Sequence, residues 1–267
     1  MMIMPVVSQL LIYPIKSMGG ISLSASLVEE RGLQYDRRWM LIDEKNRFIT
    51  QREHPQLALL RTSIGNDHLE IFHLHDPSDK ILILLEAPTR NAFDVTIWDD
   101  VCPAASVSAT ADQWFSEKLN QPVRLVYMPD NSRRAIDPDY AFNNEITSFS
   151  DGYPILLMGQ ASLDDLNTRL KDPIGVDRFR PNIVFTGGEA YDEDAMKSIT
   201  IGGVKMAGVK NCARCIMTTT DQQTGERSPE PLATLSTYRK RNNKIYFGQN
   251  IIPLTNGIIR VGDQILG

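Results

Sequence analysis

The chain has 267 residues, 42% hydrophobic and 23% charged, which is the balance of an ordinary globular protein with a sizeable core. Its net charge of −5 argues against a protein that binds nucleic acid non-specifically, because neutralising phosphates needs a basic surface. The chain has three cysteines, an odd number without the regular spacing of disulfide-rich domains, which indicates a reducing compartment. The N-terminal stretch has an apolar run but no basic region or cleavage site, so we expect no signal peptide, no membrane span and a cytoplasmic location.

Strands dominate the predicted elements of the first half, separated by polar turns. Their predicted ranges are 38–43, 47–51, 57–64, 69–74 and 80–86. A capping-box pattern at Thr110 and Gln113 predicts a helix whose apolar face carries Trp114, Phe115 and Leu119. This stripe is typical of a helix that packs on a core.

A polar segment over residues 128–150 is the best candidate for a domain boundary or a long functional loop. We therefore expect two domains, residues 1–128 and 129–267. Arg133 and Arg134 in this segment are either an anion site or a solvated pair.

The second half repeats the strand-rich pattern. Its predicted strands are 181–187, 198–211, 216–225, 244–254 and 257–266, the last after a hairpin-like Asn256-Gly257. Short helices are indicated by Ser162 with Asp165, which form a loose capping box, and by Pro231 at a helix start. Because helices do not alternate regularly with strands, we expect a mainly β (α+β) protein with two β-barrel-like domains and a few short outer helices.

Cys212 and Cys215 stand three apart in NCARCIMTTTD, and several kinds of site use such a pair. A structural zinc needs two further ligands, and the candidates are Cys102, His54, His68, His73 and His75. A thioredoxin-like pair belongs where a strand runs into a helix, whereas IMTTT predicts a continuing strand. Two ordinary thiols, or one thiolate holding a metal cofactor, are the remaining alternatives. Lys210 and Arg214 favour a thiolate if they point toward it.

Scattered cationic and polar groups beside turns are the anchors that a phosphate-bearing cofactor needs. They are Lys16-Ser17 in YPIKS, Arg37 in DRRW, and Arg180 with Asn182 in FRPN. Each alone is typical of an ordinary surface or core-rim residue. These stretches match one family along the whole chain, both in their amino-acid sequences and in their order. The match includes C-A-R-C-I-M-T-T-T-D at 212–221 and P-T-R-N-A at 88–92. The sequence resembles the MOSC-domain molybdenum enzymes, the group of the mitochondrial amidoxime-reducing component and its bacterial relatives.

The resemblance implies that Cys215 is the protein's thiolate ligand to molybdenum and the catalytic cysteine, and that Cys212 is not a ligand. It also implies that the molybdenum cofactor, Mo-molybdopterin, contacts a set of eleven residues. These residues are Lys16, Ser17, Arg37, Asp151, Gly152, Tyr153, Arg180, Asn182, Ala213, Cys215 and Asn250. Relatives commonly have hydroxyl residues at positions 152 and 153, so phosphate contacts here must come from backbone N–H groups.

The activity that the resemblance implies is reduction of N-hydroxylated compounds, such as amidoximes, hydroxylamines and N-hydroxylated bases, to the amine or amidine. The expected alternative is a molybdopterin or sulfur carrier without this turnover. A link to the pyridoxal phosphate-binding superfamily is a further expectation. Three cysteines are too few for a 2Fe–2S cluster, and no dinucleotide fingerprint is present. We therefore expect electrons from a separate protein of the ferredoxin, flavodoxin, cytochrome or flavin reductase type.

Overall fold

The structure, a computed structural model, describes residues 4–86 and 92–267. Within these residues strands far outnumber helices, which confirms the mainly β class. The first eleven strands are β1 (Val6–Ile12), β2 (Ile21–Leu23), β3 (Ala25–Glu29), β4 (Gly32–Leu33), β5 (Trp39–Ile42), β6 (Leu60–Ile64), β7 (His68–His73), β8 (Asp76–Leu84), β9 (Ala92–Ile97), β10 (Asp100–Ser106) and β11 (Arg124–Tyr127). Most of the PTRNA motif, residues 88–91, lies outside the described residues.

Ten strands follow in the second half of the described residues. They are β12 (Arg134–Ala135), β13 (Ile146–Thr147), β14 (Ile155–Gly159), β15 (Ile183–Thr186), β16 (Ser198–Ile201), β17 (Val204–Arg214), β18 (Lys240–Arg241), β19 (Lys244–Pro253), β20 (Gly257–Arg260) and β21 (Ile265–Leu266). The α-helices are α1 (Ala109–Leu119), α2 (Gln160–Arg169) and α3 (Leu232–Ser236). Single 3₁₀ turns cover Pro55–Leu59, Pro138–Tyr140, Val176–Arg178, Asp192–Ala195 and Ile216–Thr219. Among the described residues, none of the helices has the length and apolarity to cross a bilayer.

One nine-stranded sheet joins the two ends of the chain. Its order is β2-β1-β15-β14-β19-β17-β16-β21, with β18 added on β19. Strand β1 pairs antiparallel with β15, so that Leu10 lies opposite Ile183. Strand β3 likewise pairs with β20 in a separate three-stranded sheet. The division at residue 128 stays a prediction, and strands before residue 30 pair with strands after residue 180.

Two further sheets belong to the first half: β5-β11-β10-β9 and β6-β7-β8. Helix α1 packs its buried Ala111, Phe115 and Leu119 against them, in a core that includes Trp39 and Leu125. A second core fills the space beneath the nine-stranded sheet, with Leu10, Phe185 and Ile251 fully buried. These two cores fix the turns that lie between them, and those turns carry the polar groups predicted to bind a cofactor.

Two predicted helix starts are wrong, by two residues for α1 and by three residues for α2. The N-cap of α1 is Ser108, whose hydroxyl accepts a hydrogen bond from the Ala111 N–H, whereas Gln113 bonds Glu117 on the surface. Helix α2 begins after Gly159, and the Ser162 hydroxyl donates to Glu193 instead of capping. A serine or threonine near a helix start therefore predicted the helix but not its first turn.

Three strand predictions are also corrected. Residues 57–59 belong to the 3₁₀ turn after Pro55, and residues 216–219 form another such turn instead of a strand. Residues 47–51 contribute only isolated bridges at Arg47 and Phe48. Asn256-Gly257 closes no hairpin, because β20 leaves β19 and pairs with β3.

Candidate functional site

One cavity of about 350 Å³ lies where turns from both halves meet the ends of β17 and β19. It is of the size that small-molecule sites usually have. All eleven residues predicted to bind the cofactor line it: Lys16, Ser17, Arg37, Asp151, Gly152, Tyr153, Arg180, Asn182, Ala213, Cys215 and Asn250. Residues far apart in the chain therefore share one wall, while their individual roles stay predictions.

Cys215 stands at the end of β17, immediately before the 3₁₀ turn Ile216–Thr219. The buried Thr218 fixes this position, because its backbone N–H (3.1 Å) and its hydroxyl (3.0 Å) both donate to the Cys215 carbonyl. Thr219 closes the next bond of the turn by donating to the Ile216 carbonyl at 2.7 Å. The threonines of the motif thus hold a turn that leaves the Cys215 thiol exposed at the cavity.

Cys212 has different surroundings, although its residue also lines the cavity. Its sulfur accepts a hydrogen bond from Arg214 Nη1 at 3.0 Å, and Arg214 Nη2 donates to the Phe179 carbonyl at 2.7 Å. Arg214 therefore ties the edge of β17 to the FRPN turn. Lys210 pairs with Asp137 at 3.3 Å. Neither flanking cation of the motif makes a hydrogen bond or ion pair to Cys215.

The cation that reaches Cys215 is Arg52, which the sequence analysis did not single out. Its Nη2 donates to Cys215 Sγ at 3.4 Å and to Asp151 Oδ2 at 2.6 Å. The other Asp151 oxygen accepts from Lys16 Nζ at 2.7 Å. Against the opposing effect of burial, Lys16 and Arg52 together hold the pKa of Asp151 well below its usual range. Asp151 is therefore ionised at neutral pH.

Lys16 is almost fully buried, and it also donates to the Phe149 carbonyl at 2.7 Å. Burial lowers the pKa of this lysine to about 8, and Asp151 only partly offsets the effect. A buried ammonium with a depressed pKa beside a cavity is typical of an anion-binding or catalytic position.

The loop that carries Asp151 is held by Arg134. This buried guanidinium donates to the carbonyls of Ser148, Ser150 and Asp151 and pairs with Asp100. Arg133 is exposed and bonds Glu30. The two arginines therefore differ: Arg133 is solvated, as one alternative had it, whereas Arg134 is buried and supports the site loop from behind.

Two further guanidinium groups meet over the ring of Tyr13, with Arg37 at 4.3 Å and Arg180 at 4.2 Å from its centroid. Arg37 is paired with the buried Asp36 at 2.5 Å, and Arg180 donates to the Met18 carbonyl at 2.6 Å. Burial and the neighbouring Arg37 lower the pKa of Arg180 to about 10. This end of the cavity is therefore positively charged, because Asp36 balances Arg37 while Arg180 donates to a neutral carbonyl.

Ser17, Arg37 and Arg180 share an unusual backbone, since their φ angles are +69°, +51° and +57°. Residues with side chains seldom adopt this left-handed region, and such positions cluster where function requires them. The Ser17 hydroxyl is also buried without a hydrogen-bond partner in the described part of the chain. An orphaned donor beside Lys16 and Arg180 suits a ligand with several anionic oxygens.

Three other predicted residues, Asn182, Tyr153 and Gly152, differ in whether their polar groups already have hydrogen-bond partners and in the space around them. The Asn182 amide oxygen accepts from Arg37 and from the Leu156 N–H, and its nitrogen donates to the Leu11 carbonyl, so it orients Arg37. The Tyr153 hydroxyl is buried without a partner in residues 4–86 and 92–267, and burial raises its pKa to about 12. At Gly152 an added Cβ would meet nothing within 4 Å.

The zinc alternative finds no support in the structure. Among the described residues, no group of three or more histidine, cysteine or acidic side chains could hold a metal ion. Cys102 is buried in a separate apolar cluster with Met40 and Phe149, and His75 bonds the Gln223 carbonyl. Asp221, the last residue of the motif at 212–221, accepts hydrogen bonds from the N–H groups of Gln223 and Thr224 and so closes a turn.

Two family models cover most of the chain. The MOSC N-terminal beta barrel domain matches residues 4–122, and the MOSC domain matches residues 144–266. The barrels themselves stay a prediction, because the strand orders describe open paths from one edge strand to another.

Similar proteins match nearly the whole of this chain. Mitochondrial amidoxime-reducing component 1 of Homo sapiens is 34% identical over 97% of this chain and 82% of its own length. Mitochondrial amidoxime reducing component 2 of Rattus norvegicus is 33% identical, with the same two coverages. The molybdenum cofactor sulfurase of Oryza sativa subsp. japonica is 32% identical over 90% of this chain, but only 31% of that longer protein is covered. Neither the family models nor these relatives support a pyridoxal phosphate site.

Proposed function

Because this chain belongs to the family of the mitochondrial amidoxime-reducing components, built from MOSC N-terminal and MOSC domains, we propose that it is a molybdenum cofactor-dependent reductase of N-hydroxylated compounds. The substrates would be amidoximes, hydroxylamines and N-hydroxylated bases. The observation that carries the proposal is the single cavity in which an exposed cysteine faces a cluster of buried cations.

The residues of this cavity fit a cofactor that combines a soft metal with a phosphate. Cys215 is the one thiol in the described residues that is exposed in the wall, and thiolates suit metals in soft coordination. Lys16, Arg180 and the unpartnered Ser17 hydroxyl would hold the phosphate, with Arg37 oriented by Asn182. The backbone of Asp151, Gly152, Tyr153 and Ala213, and the Asn250 side chain, would complete the cradle.

The reaction converts N–OH to N–H with two electrons and two protons and releases water. The molybdenum cofactor supplies the electron transfer, while the protein supplies orientation and electrostatics. Cys215 would keep the metal bound, and the turn of Thr218 and Thr219 fixes the backbone that carries this cysteine. Asp151 is ionised and bound by two cations, so its role is to order Lys16 and Arg52 instead of donating a proton.

Turnover with a chemical electron donor tests the proposal. Reduced viologen should support reduction of a simple aryl amidoxime to the amidine by the purified protein, and NADH or NADPH alone should not. Product is measured by chromatography under anaerobic conditions. Protein that contains molybdenum but gives no amidine with reduced viologen would contradict the reductase function.

The proposal includes a separate electron-transfer protein of the ferredoxin, flavodoxin, cytochrome or flavin reductase type, because three cysteines are too few for a 2Fe–2S cluster and the sequence carries no dinucleotide fingerprint. One edge of the cavity supports an acidic partner: Lys244 lines it, and the adjoining β18 carries the exposed Lys240 and Arg241. This basic edge contrasts with the net charge of −5. Charge reversal of Lys244 should slow reduction by an acidic donor protein at low salt while leaving viologen-driven turnover intact.

A cofactor or sulfur carrier is the second candidate, and the rice sulfurase is the observation that favours it. A carrier would bind molybdopterin or hold a persulfide on Cys215 without turnover of N-hydroxylated substrates. The amidoxime assay separates the two functions, since a carrier leaves the substrate unchanged.

A further inference from the structure

The position of Arg52 has a consequence that goes beyond the proposed function, although it rests on it. Arg52 comes from the first half of the chain, in the loop before the 3₁₀ turn Pro55–Leu59, and reaches a cysteine 163 residues away. We propose that Arg52 is a positioning residue that raises the reduction potential of the metal centre through its charge and its hydrogen bond to the Cys215 sulfur.

The geometry of the guanidinium supports this role. One nitrogen, Nη2, bridges Asp151 (2.6 Å) and Cys215 Sγ (3.4 Å), so its direction is fixed by a carboxylate as well as by the sulfur. The other nitrogen, Nη1, is buried without a hydrogen-bond partner in the described residues. A purely structural ion pair gains nothing from this unpaired donor, because a buried polar group without a partner is destabilising.

The surroundings of Arg52 hold it rigidly. Arg227 donates hydrogen bonds to the carbonyls of Gln51 and Arg52, which ties the loop to the second half. The guanidinium lies 4.7 Å from the ring of Trp98, in the range of a cation–π contact. Trp98 occupies the turn between β9 and β10 with φ = +55°, a left-handed conformation that is rare for a bulky residue.

Strain at Trp98 is consistent with a ring held for its contact with Arg52, because strained positions persist where the surrounding structure requires them. The indole is 45% exposed, so it is not needed to fill the core. Phe48 also packs against this indole, with the two ring centroids 4.8 Å apart. Trp98 and Arg227 thus fix the side chain and the backbone of Arg52, respectively.

Elementary electrostatics gives the sign of the effect. A cation and an N–H donor beside a metal-bound sulfur withdraw electron density from it and stabilise the reduced, more negative state. Hydrogen bonds to sulfur ligands are among the known determinants of reduction potentials in metal centres with thiolate ligands. Removing Arg52 should therefore lower the potential, and restoring a cation should raise it again.

The test is a redox titration of the metal-loaded protein, followed by the electron paramagnetic resonance signal of molybdenum. Arg52→Gln should shift the one-electron reduction equilibrium about tenfold toward the oxidised form, which corresponds to about 59 mV. Arg52→Lys should restore most of this shift. Arg47→Gln is the matched control, because this substitution removes the same charge from the same half of the chain. Arg47 is exposed and makes no side-chain hydrogen bond in the described residues.

The outcomes separate this inference from the proposed function. Molybdenum with an unchanged potential in Arg52→Gln would overturn the inference alone, whereas wild-type protein without molybdenum would overturn both. If Arg52→Gln purifies without the metal, Trp98→Ala carries the comparison, because it keeps the guanidinium and removes the ring that holds it. The inference then requires a lower potential in Trp98→Ala, and an unchanged potential with intact metal overturns it.

Discussion

The two cysteines of the motif stand three residues apart and have different arginine partners. Cys212 is half-buried and accepts a hydrogen bond from Arg214, its neighbour two residues along the same strand. Cys215 is exposed at the cavity and meets Arg52, which the fold brings from the other half of the chain. One thiol belongs to the edge of a sheet, and the other belongs to a site assembled from both halves. Substitutions at these cysteines and at the surrounding cations test whether this structural difference is also a functional one.

Substituting the two cysteines should give the largest difference. Cys215→Ala removes the protein's sulfur ligand, so amidoxime reduction should fall to background. Cys212→Ala removes one hydrogen bond at a strand edge, worth about 0.5–1.5 kcal/mol, and should keep most of the activity. Viologen-driven turnover of both variants is the measurement. Equal loss of activity would make the two thiols a functional pair and contradict the comparison.

Removing the cationic anchors should have the next largest effect. Lys16→Ala and Arg180→Ala each take away a buried charge that faces the proposed phosphate, and such truncations cost about 2–5 kcal/mol of binding. Both variants should fold, by circular dichroism, but purify with little pterin. Arg133→Ala is the control, since Arg133 is exposed and pairs only with Glu30 among described residues. Normal pterin content in both variants would make these residues structural.

The depressed pKa of Lys16 predicts a pH dependence. Its folded-state pKa of about 8 lies below the ordinary value of 10.5, so the unfolded chain binds more protons between these values. The free energy of unfolding of cofactor-free protein should therefore rise with pH in this window as far as Lys16 contributes.

Anion binding should change in the opposite direction. Protonated Lys16 attracts phosphate, and the attraction is lost as pH rises through about 8, while Arg180 stays charged. Inorganic phosphate should raise the melting temperature of cofactor-free protein more at about pH 7 than at about pH 9. Lys16→Gln should remove this difference. A phosphate effect independent of pH in the wild type would place the anion away from Lys16.

The smallest effect is expected at Gly152. A side chain there meets nothing within 4 Å, so Gly152→Ser should change stability by no more than about 0.5 kcal/mol. The added hydroxyl would face the cavity that Gly152 lines and could donate to a phosphate oxygen, so it should slow loss of the cofactor during dialysis. Gly152→Ala is the control for the backbone change. Loss of cofactor in the serine variant would show that this loop approaches the ligand more closely than the open space suggests.

Local patterns predicted much of this molecule. The alternation over residues 69–74 predicted β7, and the single strand predicted over 198–211 became β16 and β17, separated by a turn at Gly202 and Gly203. The motifs around Lys16, Arg180 and Cys215 predicted residues that share one cavity. The threonines after Cys215 were misinterpreted as a strand, because the same β-branched residues also close turns with their hydroxyls.

Contacts across the whole chain were beyond local patterns. Nothing near Arg52 indicates that it reaches a cysteine, since this contact needs the first-half loop to dock beside β17. The false hairpin at Asn256-Gly257 has the same cause: its turn chemistry is right, but β20 finds β3 from the start of the chain. In both cases a contact between distant parts of the chain decides the structure, and local signals do not reveal it.

Metal and pterin analysis tests the central claim, that this cavity is a molybdenum cofactor site, most directly. Wild-type protein from a molybdenum-replete host should contain about one molybdenum per chain with a phosphorylated pterin, as a single soft-ligand site requires. Cys212→Ala should keep this content. Protein that carries zinc instead, or no metal and no pterin under these conditions, would contradict the claim.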